Sequence, residues 1–155
     1  MAMRRAIYGL EPLLEKLRKL EDEKSRAIAA QAMHAAAEPV LERAKELAPV
    51  LDEALPGHAP PGTLRDSLVI KDKTRGKRRI SSSVETKAGN YKGEEYYGAF
   101  VELGHKQGKR PKSGESDARA EVEPHPYLEP AFDETVDRSL SIVKQTVASE
   151  LAKIT

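Results

Sequence analysis

Few residues in this chain have the means to do chemistry. Glu102 and His105 stand three apart, so a helical backbone would place a carboxylate and an imidazole on one face, a pair capable of acid–base work. Ser81, Ser82 and Ser83 offer hydroxyl nucleophiles. Neither set comes with the partners that catalysis needs. The strained, glycine-flanked turn that exposes a catalytic serine is missing, as is a Gly-rich phosphate loop. Strand alternation accounts for the serine run, and a surface pair at a helix end accounts for Glu102 and His105. The histidines His34, His58, His105 and His125 do not stand at metal-ligand spacings, and there is no cysteine, so a zinc site lacks its usual ligand set. The sequence thus argues against an enzyme and implies no metal and no cofactor. A small hydrolase built on Glu102 and His105 is the weakest of three readings.

The second kind of chemistry on offer is contact with anions. Lys71-Asp72-Lys73-Thr74-Arg75-Gly76-Lys77-Arg78-Arg79 is a turn around Gly76 flanked by cations, and Lys106, Lys109, Arg110 and Lys112 form a second cluster. Lys and Arg release counterions when they meet a polyanion, which makes Lys73, Arg75, Lys77, Arg78 and Arg79 candidates for contact with a DNA backbone. No aromatic is interleaved with either cluster, so base stacking is not suggested, and a solvated, solubilising loop is the simpler account. A sequence-nonspecific DNA-binding module using Lys71–Arg79 is the alternative function.

Charge is spread unevenly. Lys and Arg stand nine against ten acids over residues 1–64, thirteen against six over 65–112, and four against nine over 113–155, for segment charges of −1, +7 and −5. A basic middle and an acidic end suit polyanion contact or head-to-tail contact between subunits. The 155 residues fit one domain, residues 1–155. With 39% apolar residues, 5% aromatics and no Trp, a lone protomer has a thin core, and association would help it. A charged content of 33%, with no run near the roughly 18 apolar residues of a spanning helix, argues against a membrane protein. The first residues lack the apolar stretch of a secretory signal, so an intracellular protein is expected.

The elements that must position these residues follow from spacing. Leu10, Leu13, Leu14, Leu17 and Leu20 predict a short amphipathic helix after Pro12. Ile28, Ala32, Ala36, Val40, Ala44 and Leu47 predict a long one over 25–47, about 35 Å at ~1.5 Å per residue. Pro39 inside it removes a donor and crowds the carbonyl four residues back, predicting a kink near Ala35. Prolines and glycines make 49–62 an irregular loop. Thr63 and Asp66 read as a capping pair, with the Thr63 hydroxyl accepting a free N–H at the start of a short helix, Leu64 to Leu68. Val69 and Ile70 open a strand, and Ile80, Ser82, Val84 and Thr86 alternate in a second, which together predict a hairpin with a basic tip. Tyr97 to Leu103 predicts one helical turn closed by Gly104 at positive φ, and residues 105–121 a mobile loop. Phe132, Val136, Leu140, Val143, Val147 and Leu151 mark a C-terminal amphipathic helix with Pro130 near its first turn. The fold class is therefore α+β: a long N-terminal helix, a small antiparallel sheet with a basic hairpin, and a C-terminal helix.

Four signatures lie in order along these elements. They are Ala44-Lys45 with Ala48-Pro49-Val50, then Gly62-Thr63-Leu64-Arg65-Asp66-Ser67, then Tyr97-Gly98-Ala99-Phe100-Val101-Glu102-Leu103-Gly104, and last Pro126-Tyr127-Leu128-Glu129-Pro130-Ala131. Together they resemble the neck or tail-completion family of long-tailed bacteriophages and prophages, typified by the gene-product-ten protein of phage HK-ninety-seven and the minor tail protein Z of phage lambda. The resemblance implies a virion protein that assembles as a ring, commonly six-fold, at the head–tail junction. Such a ring would meet head-connector and tail-tube or tail-terminator proteins, surround passing duplex DNA, and be made in the host cytoplasm. Two departures stand out: residues 50–61 are longer than the family's usual link, and His105 stands where a threonine commonly follows the glycine. A carboxylate amid Phe100, Val101 and Leu103 needs water or a cation, so Glu102 is expected to pair with Arg65 or with a neighbour's arginine. Arg65, Tyr97, Phe100, Glu102, Tyr127 and Leu128 are the candidate subunit or partner interface.

Overall fold

The computed structural model describes residues 11–18, 22–50, 60–75, 79–87, 98–106 and 121–154. Helices α1 (Glu11–Arg18) and α2 (Asp22–Leu47) lead into the one-turn α3 (Thr63–Ser67), which passes directly into strand β1 (Leu68–Arg75). Strand β2 (Arg79–Thr86) pairs antiparallel with β1, from Leu68↔Thr86 to Arg75↔Arg79. Helix α4 (Gly98–Leu103) precedes a two-residue pairing of β3 (His105–Lys106) with β4 (Glu121–Val122), and α5 (Leu128–Ala152) closes the described chain. The architecture is α+β, as the periodicities predict.

The long helices form the backbone of the molecule because both present small residues to each other. Ala32, Ala44 and Ala131 are almost wholly buried, so the helix axes approach closely and bury the flanking larger side chains. Two apolar clusters result. Ala44, Ala48, Leu64, Leu68, Tyr127 and Ala131 form one, with Val40, Val84 and Leu128 packed against it. Ile28, Ala32, Val147 and Leu151 form the other, covered by Leu13 and Leu17 of α1. Pro39 lies inside α2, and the helix continues through it to Leu47. The predicted proline cost therefore does not break the helix, and the Pro39 side chain itself is buried.

Period-two alternation decides how the hairpin sits. Thr74 and Ile80 face Ala27 and Ala30 of α2, Asp72 meets His34 of the same helix, and Leu68 and Thr86 are buried. Even-numbered positions thus face the helices, and odd-numbered positions, including Lys71, Lys73, Arg75, Arg79 and Glu85, face outward.

Several expectations need correction. Thr63 does not accept an amide: its hydroxyl donates to the Pro60 carbonyl at 2.7 Å. The start of α3 is set by Gly62, at φ +84° with no side-chain cap, and the Asp66 amide donates to the Gly62 carbonyl at 2.9 Å. The short helix runs one residue earlier than expected and Leu68 is already strand. The margins of the expected 105–121 loop are ordered strands, with His105 opposite Val122 and Lys106 opposite Glu121. The turn around Gly76 and most of the 49–62 loop lie outside the described residues.

The α2–α5 contact makes a clear mechanical prediction. Ala44 has no exposed surface, and Ala44→Leu forces extra volume between elements that cannot separate cheaply. Urea unfolding should show a loss of about 1–3 kcal/mol; unchanged stability would mean the helices are not closely packed there.

Candidate functional site

Glu102 is the centre of the best-defined polar arrangement. Its Oε2 accepts the Tyr127 amide at 2.7 Å and the Leu128 amide at 2.9 Å, and its Oε1 accepts the Glu129 amide at 3.0 Å. These are free N–H groups at the start of α5, where the N-cap residue Tyr127 supplies no side-chain bond of its own. A carboxylate from α4, over twenty residues upstream, therefore caps α5 and sits at the positive end of its dipole. The expected Glu102–Arg65 pair is not formed. Arg65 instead donates from Nε to Oδ1 of its neighbour Asp66 at 2.8 Å, which raises the guanidinium pKa and lowers that of the carboxyl.

The rest of the signature supports the same contact. Tyr127 is 1% exposed and its hydroxyl donates to the Gly98 carbonyl at 3.4 Å. A Cβ on Gly98 would sit 3.1 Å from Leu64 Cδ1 and from Thr86 Cγ2, so the glycine allows α4 to approach the core. Gly104, at φ +69°, turns the chain where a Cβ would meet the Val122 carbonyl at 2.7 Å. The His125 amide then donates to the Val101 carbonyl at 2.8 Å. Tyr127, expected at an interface, is a core side chain; Glu102 is occupied within the protomer. Leu128 packs on the core and Phe100 is half-buried against the His105 ring, with centroids 5.2 Å apart. Arg65 is exposed. Tyr97 lies outside the described residues.

A second polar group joins the hairpin to α2. His34 Nδ1 lies 2.8 Å from Asp72 Oδ2, and the Ser82 hydroxyl donates to Asp72 Oδ1 at 2.6 Å. A serine, an aspartate and a histidine meet here, but the carboxylate stands in the middle, so the imidazole does not face the hydroxyl as a serine triad requires. The Ser82 hydroxyl, then His34, lowers the Asp72 pKa. On the outward face Glu85 receives Lys73 and the Ser83 hydroxyl, the latter at 2.7 Å, with Lys71 at 3.6 Å. The Lys73 bond, then that of Ser83, lowers the Glu85 pKa. Of the candidate DNA-contact cations, Lys73 is thus partnered and Arg75 and Arg79 are exposed; Lys77 and Arg78 lie outside the described residues. Among the described residues no group of three or more acidic or His side chains could hold a metal ion, and no helix is long and apolar enough to cross a membrane.

Sequence reasoning missed an apolar trough of about 600 Å³ along the α2–α5 pair, bordered by Leu14, Met33, Val40, Val84, Phe132 and Leu140. The amphipathic stripe of α5 signalled apolar burial, but Phe132 remains 52% exposed. The only hint was the thin aromatic content of the chain.

A small α+β protein, whose strongest signature is spent on joining its own elements, is the class these features define. Residues 11–104 match the family model described as "Bacteriophage HK97-gp10, putative tail-component". The chain belongs to this HK97-gp10-like family of phage tail components. The matched span includes the Gly62–Ser67 and Gly98–Gly104 signatures; the Pro126–Ala131 signature, which supplies the capped amides, lies beyond it. No curated protein and no solved structure gives a significant match.

Two measurements check this site. Glu102→Ala should cost about 1–3 kcal/mol, since three amides lose their acceptor, and Glu102→Gln, which keeps one oxygen, should cost less; equal stability of all three proteins would refute the cap. Because the Glu85 carboxyl is held below its ordinary value of about 4.3, its stabilisation is complete above that pH and is lost as pH falls through the lower folded value. Glu85→Gln should therefore flatten the acid limb of a stability–pH curve and leave it unchanged if the Lys73 contact is idle.

Proposed function

We propose that this protein is a ring-forming component of the phage or prophage tail at the head–tail junction, completing the tail so that it can join a DNA-filled head. Membership of the HK97-gp10-like family over residues 11–104 is the observation that carries this reading. The structure supports it through what its polar groups do: Glu102 caps a helix, and Asp72 and Glu85 fasten a hairpin. The work of such a protein is shape and recognition. The apolar trough and the 73% exposed Leu103 suit a protomer that completes its packing against other chains, since exposed apolar patches of this kind mark interaction surfaces. Heterologous contacts between identical subunits close a ring when the rotation between neighbours permits. Arg65, Phe100 and Leu128 stay candidates for such contacts.

Deletion of the gene from a phage that encodes it provides the test. Filled heads and separate tails should accumulate, with infectivity restored by the gene in trans, and labelled protein should localise to the junction of finished particles. Normal yields of joined particles from the deletion would overturn the proposal.

A further inference from the structure

The outward face of the β1–β2 hairpin sorts its charges along its length. Among the described residues it carries four cations, Lys71, Lys73, Arg75 and Arg79, against one carboxylate, Glu85. Glu85 lies toward the base of the hairpin, paired in register with Val69, and there it engages both lysines. Arg75 and Arg79 stand directly opposite each other at the far end of the ladder, both exposed, with no described carboxylate paired to either. Like charges directly opposed across two strands destabilise the ribbon. Among the described residues no carboxylate offsets that repulsion, whereas an anion lying across both strands would.

We propose that this end of the hairpin is a contact for the phosphate backbone of duplex DNA, with Arg75 and Arg79 as its two principal cations and Lys71 and Lys73 as weaker, partly neutralised ones. The geometry selects the ligand. Alternate residues on one strand face recur at about 6.6–6.8 Å, so the cations form a ladder suited to a regularly charged polymer, not a cup for a single small anion. No aromatic lies among them, so bases are not stacked and the contact does not read sequence. The Arg75–Arg79 pair is a different surface from the Glu102 cap, and this inference does not depend on the tail-junction reading: DNA contact can fail in a protein that still completes tails, and tail completion can fail in one that binds DNA.

The test is equilibrium binding of the full chain to two labelled 25-base-pair duplexes of unrelated sequence, between about 50 and 200 mM salt, the range over which counterion release is read. Both duplexes should bind alike, with log affinity falling linearly in log salt. Arg75→Gln and Arg79→Gln should each reduce the slope by about 1 and should melt no lower than the parent, because each relieves a like-charge pair. Lys73→Gln should change the slope less. Glu85→Gln should tighten binding by freeing the two lysines. Absence of salt-dependent binding by the parent, or an unchanged slope in both arginine variants, overturns the proposal. So does poly-glutamate that competes as well as DNA at equal charge, an outcome that would reassign the face to an acidic protein surface.

Discussion

The carboxylate of Glu102 is the interaction on which the arrangement of the protein depends. A helix start leaves amide N–H groups without intrahelical partners, and α5 has no serine, threonine or aspartate at its N-cap to satisfy them. Glu102 takes three of these donors from outside the helix. A local cap would stabilise α5 alone; this one also fixes where α4 stands relative to it. Tyr127 closes the same contact from the other side, buried with its hydroxyl on Gly98. Because α5 lies along α2 with Ala131 and Ala44 fully buried, the position of its first turn is transmitted into the contact between the two long helices.

The hairpin obeys a separate constraint, the alternation of a strand. Its inner positions hold Asp72 and Ser82 against His34, and its outer positions hold Lys71 and Lys73 against Glu85. Residue types that could compose a hydrolytic site thus serve to seat a two-stranded ribbon on a helix, where an isolated ribbon would be marginal in water. Membership of a family of phage tail components accords with side chains used in this way.

Periodicity was readable and distance was not. The stripe from Ile28 to Leu47, the alternation from Ile80 to Thr86 and the run from Val136 to Leu151 each announce an element, because a helix or strand imposes its repeat on neighbouring residues. The run from Tyr97 to Leu103 announces a helical turn, and Gly104 gives it the positive-φ exit that its type suggests. Glu102 stands out in the pattern as a carboxylate among apolar residues, but its partners are backbone amides of α5 that no residue type marks, whereas Arg65 offers an explicit cation. Thr63 departs from the capping expectation because a hydroxyl donates as readily as it accepts, and Gly62 sets the backbone geometry at the start of α3. Tyr127 is expected at an interface but lies buried against Leu64 and Gly98, which share no local pattern with it. Phe132 and Leu140 share the stripe of α5 yet border an open trough, because among the described residues neither α1 nor the β1–β2 sheet covers them.

The short β3–β4 pairing has a consequence for how this protein can vary. His105 and Lys106 are held against Val122 and Glu121, and Gly104 lies close against Val122 and Pro124, so the two ends of the segment between them are clasped at a fixed separation. Lengthening a segment between clasped ends adds closure entropy of only roughly 0.6 kcal/mol for each doubling of length. The clasp therefore fixes where the chain re-enters the fold ahead of α5, whatever the number of residues between its two strands.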